Sequence, residues 1–427
     1  MSNGDNIYDG PQPYDSGDPY NGPLGVGGLA SIIELDLGGF ISGAMLDDAL
    51  TAQLDTAVLG PTTPTFDEDI TIYVREASTH RGASRELERI EAGTASLTLD
   101  NRDGRFTPFN TGSPYHSNIL PMRRIRIQAS WNEVIYPVFN GFVEDWPVTF
   151  PGEVDTETRV TLVDGMKMLA VANISGSFSQ QGSGARVGAI LDAINWPTAE
   201  RDIDVGTATV PAITLANVSA LEHLQQIAHA EGGRFFIGKN GYAVFREGAE
   251  VNPDISTRIW ADDGTGMSYR DIALAFDDNL ILNDVHLTRT GGTEQIATDS
   301  GSQTQYGIHS SSETDIQLVN DGAVLDRATE QVRRYAQPVL RLESLVDNAM
   351  QHELWDRVLV RDINDIVKVI ESRTATSQVS SIEGISHDIG RDGSWTVTLA
   401  VAPSSLVVAG VLDDPTYGLL DSTAILR

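Results

Sequence analysis

Residues Gly93–Ala129 read GTASLTLDNRDGRFTPFNTGSPYHSNILPMRRIRIQA. Ser96–Asp100 alternates apolar and polar side chains, the pattern of a half-buried strand. Asn101–Gly104 supplies the Asn, Asp and Gly of a turn. Phe106, Pro108, Phe109, Pro114 and Tyr115 follow in a loop whose rings and prolines suit it to pack on a surface. Met122–Ala129 returns as a strand carrying Arg123, Arg124 and Arg126. Strand, turn, clamp-like loop and strand make a β framework, and the stretch holds no catalytic grouping.

Working outward, residues 63–170 read as mostly β. Ile70–Arg75, Ser96–Asp100, Arg124–Ala129, Val138–Glu144 and Thr158–Val163 are predicted strands, at a spacing that suits a small barrel. Arg81–Ile90 is charged and reads as a loop or one short helix. Asp164–Ala170 reads as a helical turn. Residues 171–260 change character to a small α+β module. Ile174–Ser183 reads as a Gly/Ser/Gln loop. Val187, Ile190, Leu191 and Ile194 recur at helical spacing. Ser219–Glu231 is a second helix, with Ser219 as its N-cap and Gly232 at its end. Asn240-Gly241 between two short apolar runs predicts a hairpin. Residues 261–402 return to β, with one amphipathic helix over Asp321–Ala336 and a closing hairpin across Gly390–Gly393. The expected fold is therefore mainly β: two β-barrel domains, an α+β module between them and extended terminal arms.

The arms are residues 1–62 and 403–427. Tyr8, Tyr14 and Tyr20 recur every six residues in a Pro-, Gly- and Asp-rich segment that cannot bury a core of its own. Amphipathic rings at regular spacing suit contacts with a neighbour. Leu412, Asp413, Leu420 and Asp421 repeat the pattern of Leu46, Asp47, Leu54 and Asp55 at the same spacing. Both ends are expected to dock on partners as added strands.

The 427 residues carry 60 Asp and Glu against 29 Lys and Arg, a formal net charge of −31. Such a surface repels nucleic acid, so specific nucleic-acid binding is not expected. With no Cys there is neither disulfide nor thiolate chemistry. No apolar run reaches the roughly twenty residues of a membrane span. The start, MSNGDNIYDG, has neither the basic nor the apolar region of a secretory leader, so synthesis in the cytoplasm is expected.

The motifs that carry chemistry are missing. There is no HExxH, Walker A, G-x-S-x-G or strand-linked G-x-G-x-x-G, so no metal, cofactor or catalytic residue is assigned. His223 and His229 lie six apart on one helix and do not share a face; both read as surface or boundary residues. Asp100–Gly104 lacks the alternating ligands and distal Glu of a calcium loop and reads as a turn. Asp262-Asp263-Gly264 and Asp277-Asp278-Asn279 are acidic loops with weak cation-holding potential.

The DNRDGRF loop, Pro121–Ile127, Gly141-Phe142-Val143-Glu144-Asp145-Trp146 and Val163–Leu169 resemble the minor tail proteins of long-tailed bacteriophages, the family that builds the tail-tip or baseplate hub. Ser302–Gly307 (SQTQYG), Leu354-Trp355 and the hairpin Ile382–Leu399 extend the resemblance to hub proteins of contractile tails. The resemblance covers most of residues 66–402. It implies a homotrimer in which two related barrels per chain match a six-fold tube. It implies a place in the virion tail tip, with a distal tail or tail-tube ring protein, other minor tail proteins and the tape-measure protein as partners. A distal tail ring or receptor-binding scaffold is the alternative within that class. A carbohydrate-binding or carbohydrate-active tail protein is the alternative outside it. The residues expected at interfaces are Phe106, Phe109, Tyr115, Arg123, Arg124, Arg126 and Trp146, with the tyrosines and the Leu-Asp pairs of the arms.

Overall fold

The computed structural model describes residues 25–26, 29–36, 66, 68–86, 88–147, 156–248, 254–348, 354–404, 408–409 and 424–425. The first β unit comprises β1 (Leu29–Leu35), β2 (Val74–Gly82), β3 (Glu91–Asp100), β4 (Arg124–Trp131), β5 (Val134–Asp145) and β6 (Glu157–Val163). Strict alternation drives it. In β4, Ile125, Ile127, Ala129 and Trp131 point inward, while Arg124, Arg126, Gln128 and Ser130 alternate outward. In the segment read as loop or helix, Arg81 and Gly82 end β2, and residues 83–86 and 88–90 run as irregular chain.

The insert begins with α1 (Met166–Val171) and β7 (Asn173–Phe178), continues through α2 (Ser183–Ala193), β8 (Arg201–Ile203), β9 (Ile213–Ser219) and α3 (Ala220–Glu231), and ends in β10 (Arg234–Ile237) and β11 (Ala243–Arg246). Ser219 caps α3 by accepting from Glu222 N at 3.4 Å, and Gly232 ends it with φ 77°. β10 and β11 form the expected hairpin. One expectation fails here. Ile174–Ser183 is no simple loop, because β7 pairs antiparallel with β9. Its polar alternation hides the strand, since only one partner covers it. Val187, Ile190, Leu191, Leu224, Ile227, Phe235 and Phe245 form the insert's own core.

The second β unit contains β12 (Ile259–Ala261), β13 (Asp271–Ala275) and, after an interruption, β17 (Arg341–Asn348), α6 (Trp355–Leu359), β18 (Ile366–Glu371), β19 (Thr376–Ile389) and β20 (Trp395–Pro403). The interruption is a separate small layer of β14 (Asp284–Arg289), β15 (Gln295–Thr298), α4 (Ser300–Tyr306), β16 (Ser310–Ile316) and α5 (Asp321–Tyr335). Val285 and Leu287 pack there against Val324, Ala328 and Val332 of α5, whose N-cap is Asn320.

The architecture is mainly β with an α+β module, as the sequence predicts. The two β units share one sheet, ordered β1-β4-β5-β6-β3-β2-β19-β20-β17-β13, with β18 and β12 added beside β19. The path is open: neither unit closes into a ring among the described pairings. One continuous core, from Leu29 through Phe106, Ile127, Trp355 and Trp395 to Val401, runs under both units. The join is the β2–β19 pairing, where Gly82 lies directly opposite Gly384. β19 pairs with β18 through Ser381 and with β2 from Gly384 onward. At this change of partner the backbones approach closely. A Cβ on Gly384 would stand 2.4 Å from Ala83 O, and one on Gly82, where φ is 94°, 2.2 Å from Glu383 O. Only glycine fits such a contact.

Candidate functional site

The aromatic loop is a succession of turns. Gly104 N donates to Asn101 O, Thr107 N to Gly104 O, Asn110 N to Thr107 O, Ser113 N to Asn110 O and His116 N to Ser113 O, at 2.9–3.3 Å. Side chains lock the turns: Asn110 Nδ2 donates to Gly104 O at 2.8 Å, and Ser113 Oγ to Arg105 O at 2.6 Å. Phe106 is fully buried and stacks on Trp146, with centroids 6.2 Å apart and planes within 5°. Tyr73 and Tyr115 flank it at 5.8 and 5.6 Å. Trp146 Nε1 donates to Leu120 O at 2.9 Å. Burying such a ring contributes roughly 1.5–3 kcal/mol, so the loop is fastened to the first β unit. Phe106, Tyr115 and Trp146 thus have partners within the chain. Phe109 does not join them. It is 91% exposed and has a left-handed φ of 62°.

The three arginines also find partners within the chain. Arg123 is buried and donates from Nε to Asn118 O at 2.9 Å, holding the end of the loop. Arg124 lies over the Phe142 ring and reaches Glu200 of the insert at 3.4 Å. Arg126 pairs with Glu34 and lies over the Phe66 ring. Tyr8, Tyr14, Tyr20, Leu412, Asp413, Leu420 and Asp421 fall outside the described residues.

A polar node that the sequence reading missed joins the insert to both β units. Arg81 on β2 donates to Asp362 Oδ1 at 2.9 Å. Lys239, in the β10–β11 turn, donates from Nζ to Leu359 O at 2.7 Å and Arg361 O at 3.0 Å. Burial lowers the Lys239 pKa to about 8. Burial pushes the Asp362 carboxyl up, but Arg81 and Lys239 together hold it below the ordinary range. Arg234 of β10 donates from Nη2 to both carboxylate oxygens of Glu383 of β19, at 2.5 and 2.6 Å. Asp164 accepts from Gly93 N at 2.7 Å and Met166 N at 2.8 Å, and burial raises its pKa to about 7. The signal available in the sequence was Glu383-Gly384 in mid-strand, since an interior strand glycine marks close backbone approach.

His387 is buried beside this node and accepts from Trp395 Nε1 at 3.1 Å. Burial, with Arg81 and Lys239 nearby, lowers its pKa to about 3. Between about pH 6.5 and 3 the unfolded chain therefore binds a proton that the folded chain refuses. This contribution is complete above about pH 6.5 and is lost as pH falls. Relative to His387→Gln, the native chain should lose roughly 2 kcal/mol on moving from about pH 7 to about pH 4.5, as read by urea unfolding of both proteins. Parallel pH profiles would remove His387 as the cause.

The other candidates are absorbed by structure. His223, read as surface or boundary, is fully buried between the helices. Its helix face points into the insert core beside Leu224 and Ile227. His229 is half-exposed and meets Glu313 at 2.6 Å. Asp262 accepts from Ser372, Asp263 from Thr265, and Asp277 pairs with Arg341. No group of three acidic, His or Cys side chains among the described residues is placed to hold a metal. None of the described helices is long and apolar enough to cross a membrane.

The chain superposes on the 43 kDa tail protein of prophage MuSo2 from Shewanella oneidensis with a TM-score of 0.54 and 14% identity, over 77% of this chain and 94% of that one. It superposes on a tail protein from Neisseria meningitidis MC58 with a TM-score of 0.57 and 12% identity, over 88% and 97%. The fold is that of phage tail proteins. No protein-family model matches the sequence, and no curated protein matches it. Within this fold the insert interrupts the β framework in sequence and is fastened back to it by the polar node.

Proposed function

We propose that this chain is a structural protein of the phage tail tip: a hub, three copies of which close the tail tube and organise other minor tail proteins. The observation that supports this reading is the likeness to tail proteins along most of the chain, combined with two β units fused into one sheet. Three copies of such a chain present six β units around an axis, which suits a six-fold tube. The reading gives the chain mechanical work and no catalytic step. Its partners are the distal tail or tail-tube ring protein, neighbouring minor tail proteins and the tape-measure protein. A net charge of −31 suits a wall past which DNA moves without phosphate contacts.

A symmetry-resolved image of the assembled tail tests this. Three copies at the tip, with Asp and Glu outnumbering Lys and Arg along the axis, are expected. A six-fold ring of this chain would make it a distal ring protein instead. An axis lined by Lys and Arg would refute the channel argument.

A further inference from the structure

The outer face of the seam between the two β units carries short hydroxyl side chains. Thr161 of β6, Ser96 of β3, Ser78 of β2, Asp388 of β19 and Thr396 of β20 stand opposite one another, so one row crosses five strands. At strand spacing the row is about 19 Å long. In the next row Arg159 lies opposite Thr98, and Thr98 opposite Glu76. The reverse side of these strands, with Ala77, Leu97, Val160 and Trp395, is core. Two hollows of about 360 and 270 Å³ open on the outer face and share Glu76, Thr98 and Arg159, so they run together as one trough. Ser78, Ser96, Asp388 and Thr396 line the first. Arg159 and Arg391, the latter in the β19–β20 turn, line the second.

The two arginines are open. Both are exposed, and neither side chain pairs with an acid among the described residues. The chain holds 60 acids against 29 bases, so acid partners are abundant. Arg75 in the same hollow has taken Asp100 and Glu157, while Arg159 and Arg391 keep their donors for a ligand. The lining selects its class. Hydroxyls donate and accept, and carboxylates such as Glu76 and Asp388 accept, which suits a string of sugar hydroxyls. Guanidinium forks suit carboxylate or phosphate. No aromatic side chain lines either hollow, so neither a neutral sugar nor a nucleobase has a ring to stack on. The chemistry that remains is a polymer of hydroxyl-rich units bearing carboxylate or phosphate.

We propose that this trough binds an acidic glycan, held by Arg159 and Arg391 over the hydroxyl floor. The tail reading enters only as the place where such a polymer is met. Titration calorimetry of the full chain tests the site, with oligogalacturonate as the carboxylate probe and poly(glycerol phosphate) as the phosphate probe. Dextran and single-stranded DNA are the comparisons. One or both acidic probes should bind, less tightly as salt rises from about 50 to 500 mM. Arg159→Gln and Arg391→Gln should each weaken binding about tenfold or more, as loss of a charge-assisted contact does. Arg89→Gln removes the same charge from the exposed loop beyond β2 and should change binding less than about twofold. Ser96→Met fills the floor without altering charge and should abolish binding, and the variants should melt as the native chain does. Failure of both acidic probes, dextran bound as tightly, or Arg89→Gln as damaging as Arg159→Gln would overturn the site and leave the hub reading standing. DNA bound as tightly as the acidic probes and lost with the same variants would overturn the glycan in favour of a nucleic-acid contact. Acidic probes bound as expected by a chain that imaging places away from the tail tip would keep the trough and overturn the hub.

Discussion

Gly384→Val should unfold the join between the two β units. The new Cβ would stand 2.4 Å from Ala83 O and 3.0 Å from Arg81 O, both backbone atoms that cannot rotate away. Opposite lies Gly82, itself in a left-handed conformation with Glu383 O against it, so β2 has no slack to yield. The strands must part, and the core that runs beneath both units opens with them. A loss above about 4 kcal/mol is expected, with a thermal midpoint lower by roughly 4 °C or more, or insoluble protein. Gly188→Ala is the control. It lies inside α2, and a methyl group added there would meet nothing within 4 Å, so the change should be neutral or stabilising by up to about 1 kcal/mol. Calorimetry of both variants decides the matter, and a Gly384→Val chain that melts like the native one would contradict this account of the seam.

Arg234→Met should be the second most damaging of these changes. Glu383 is only 5% exposed, and it accepts both Arg234 bonds and one from Ser381 Oγ at 2.7 Å. Removing the guanidinium leaves a buried carboxylate with the Ser381 hydrogen bond and only the more distant charge of Arg334. Breaking such a pair costs about 3 kcal/mol even after allowing for the partial exposure of Arg234. Asn364 Oδ1 also loses its bond to Arg234 Nη1. The double change Arg234→Met with Glu383→Met removes the stranded charge and should recover much of the loss. Denaturant titration of the four proteins in the cycle gives the coupling. If Arg234→Met alone costs less than about 0.5 kcal/mol, the pair does not fasten the insert to the seam.

Both expectations concern contacts between residues far apart in sequence, and there the sequence was least legible. Phe106 and Phe109 are the same side chain three positions apart in one loop. The turn succession sends the first beneath Trp146 and the second into solvent. Arg123, Arg124 and Arg126 read as candidates for contacts between copies. Their partners within the chain, Asn118, Glu200 and Glu34, lie 5, 76 and 92 residues away. His223 reads as a surface or boundary residue on a helix whose buried face the flanking leucine and isoleucine leave ambiguous. Once the helix packs against α2 and into the insert core, that face is covered.

By itself the sequence determined the local elements, because their physics is local. Alternation made β4, and the Ser219 and Asn320 caps with apolar residues at helical spacing made α3 and α5. Asn240-Gly241 made the insert hairpin. The mainly β class with an α+β module followed from the order of these elements. Only the tertiary structure decided that β2 pairs with β19 across most of the length of the chain, merging two expected barrels into one open sheet. Strand pairing is set by backbone hydrogen bonds and by which apolar faces meet, and neither leaves a mark at short sequence range. Two glycines facing each other, and a carboxylate beside them bound to an arginine of the insert, are where that long-range choice was made.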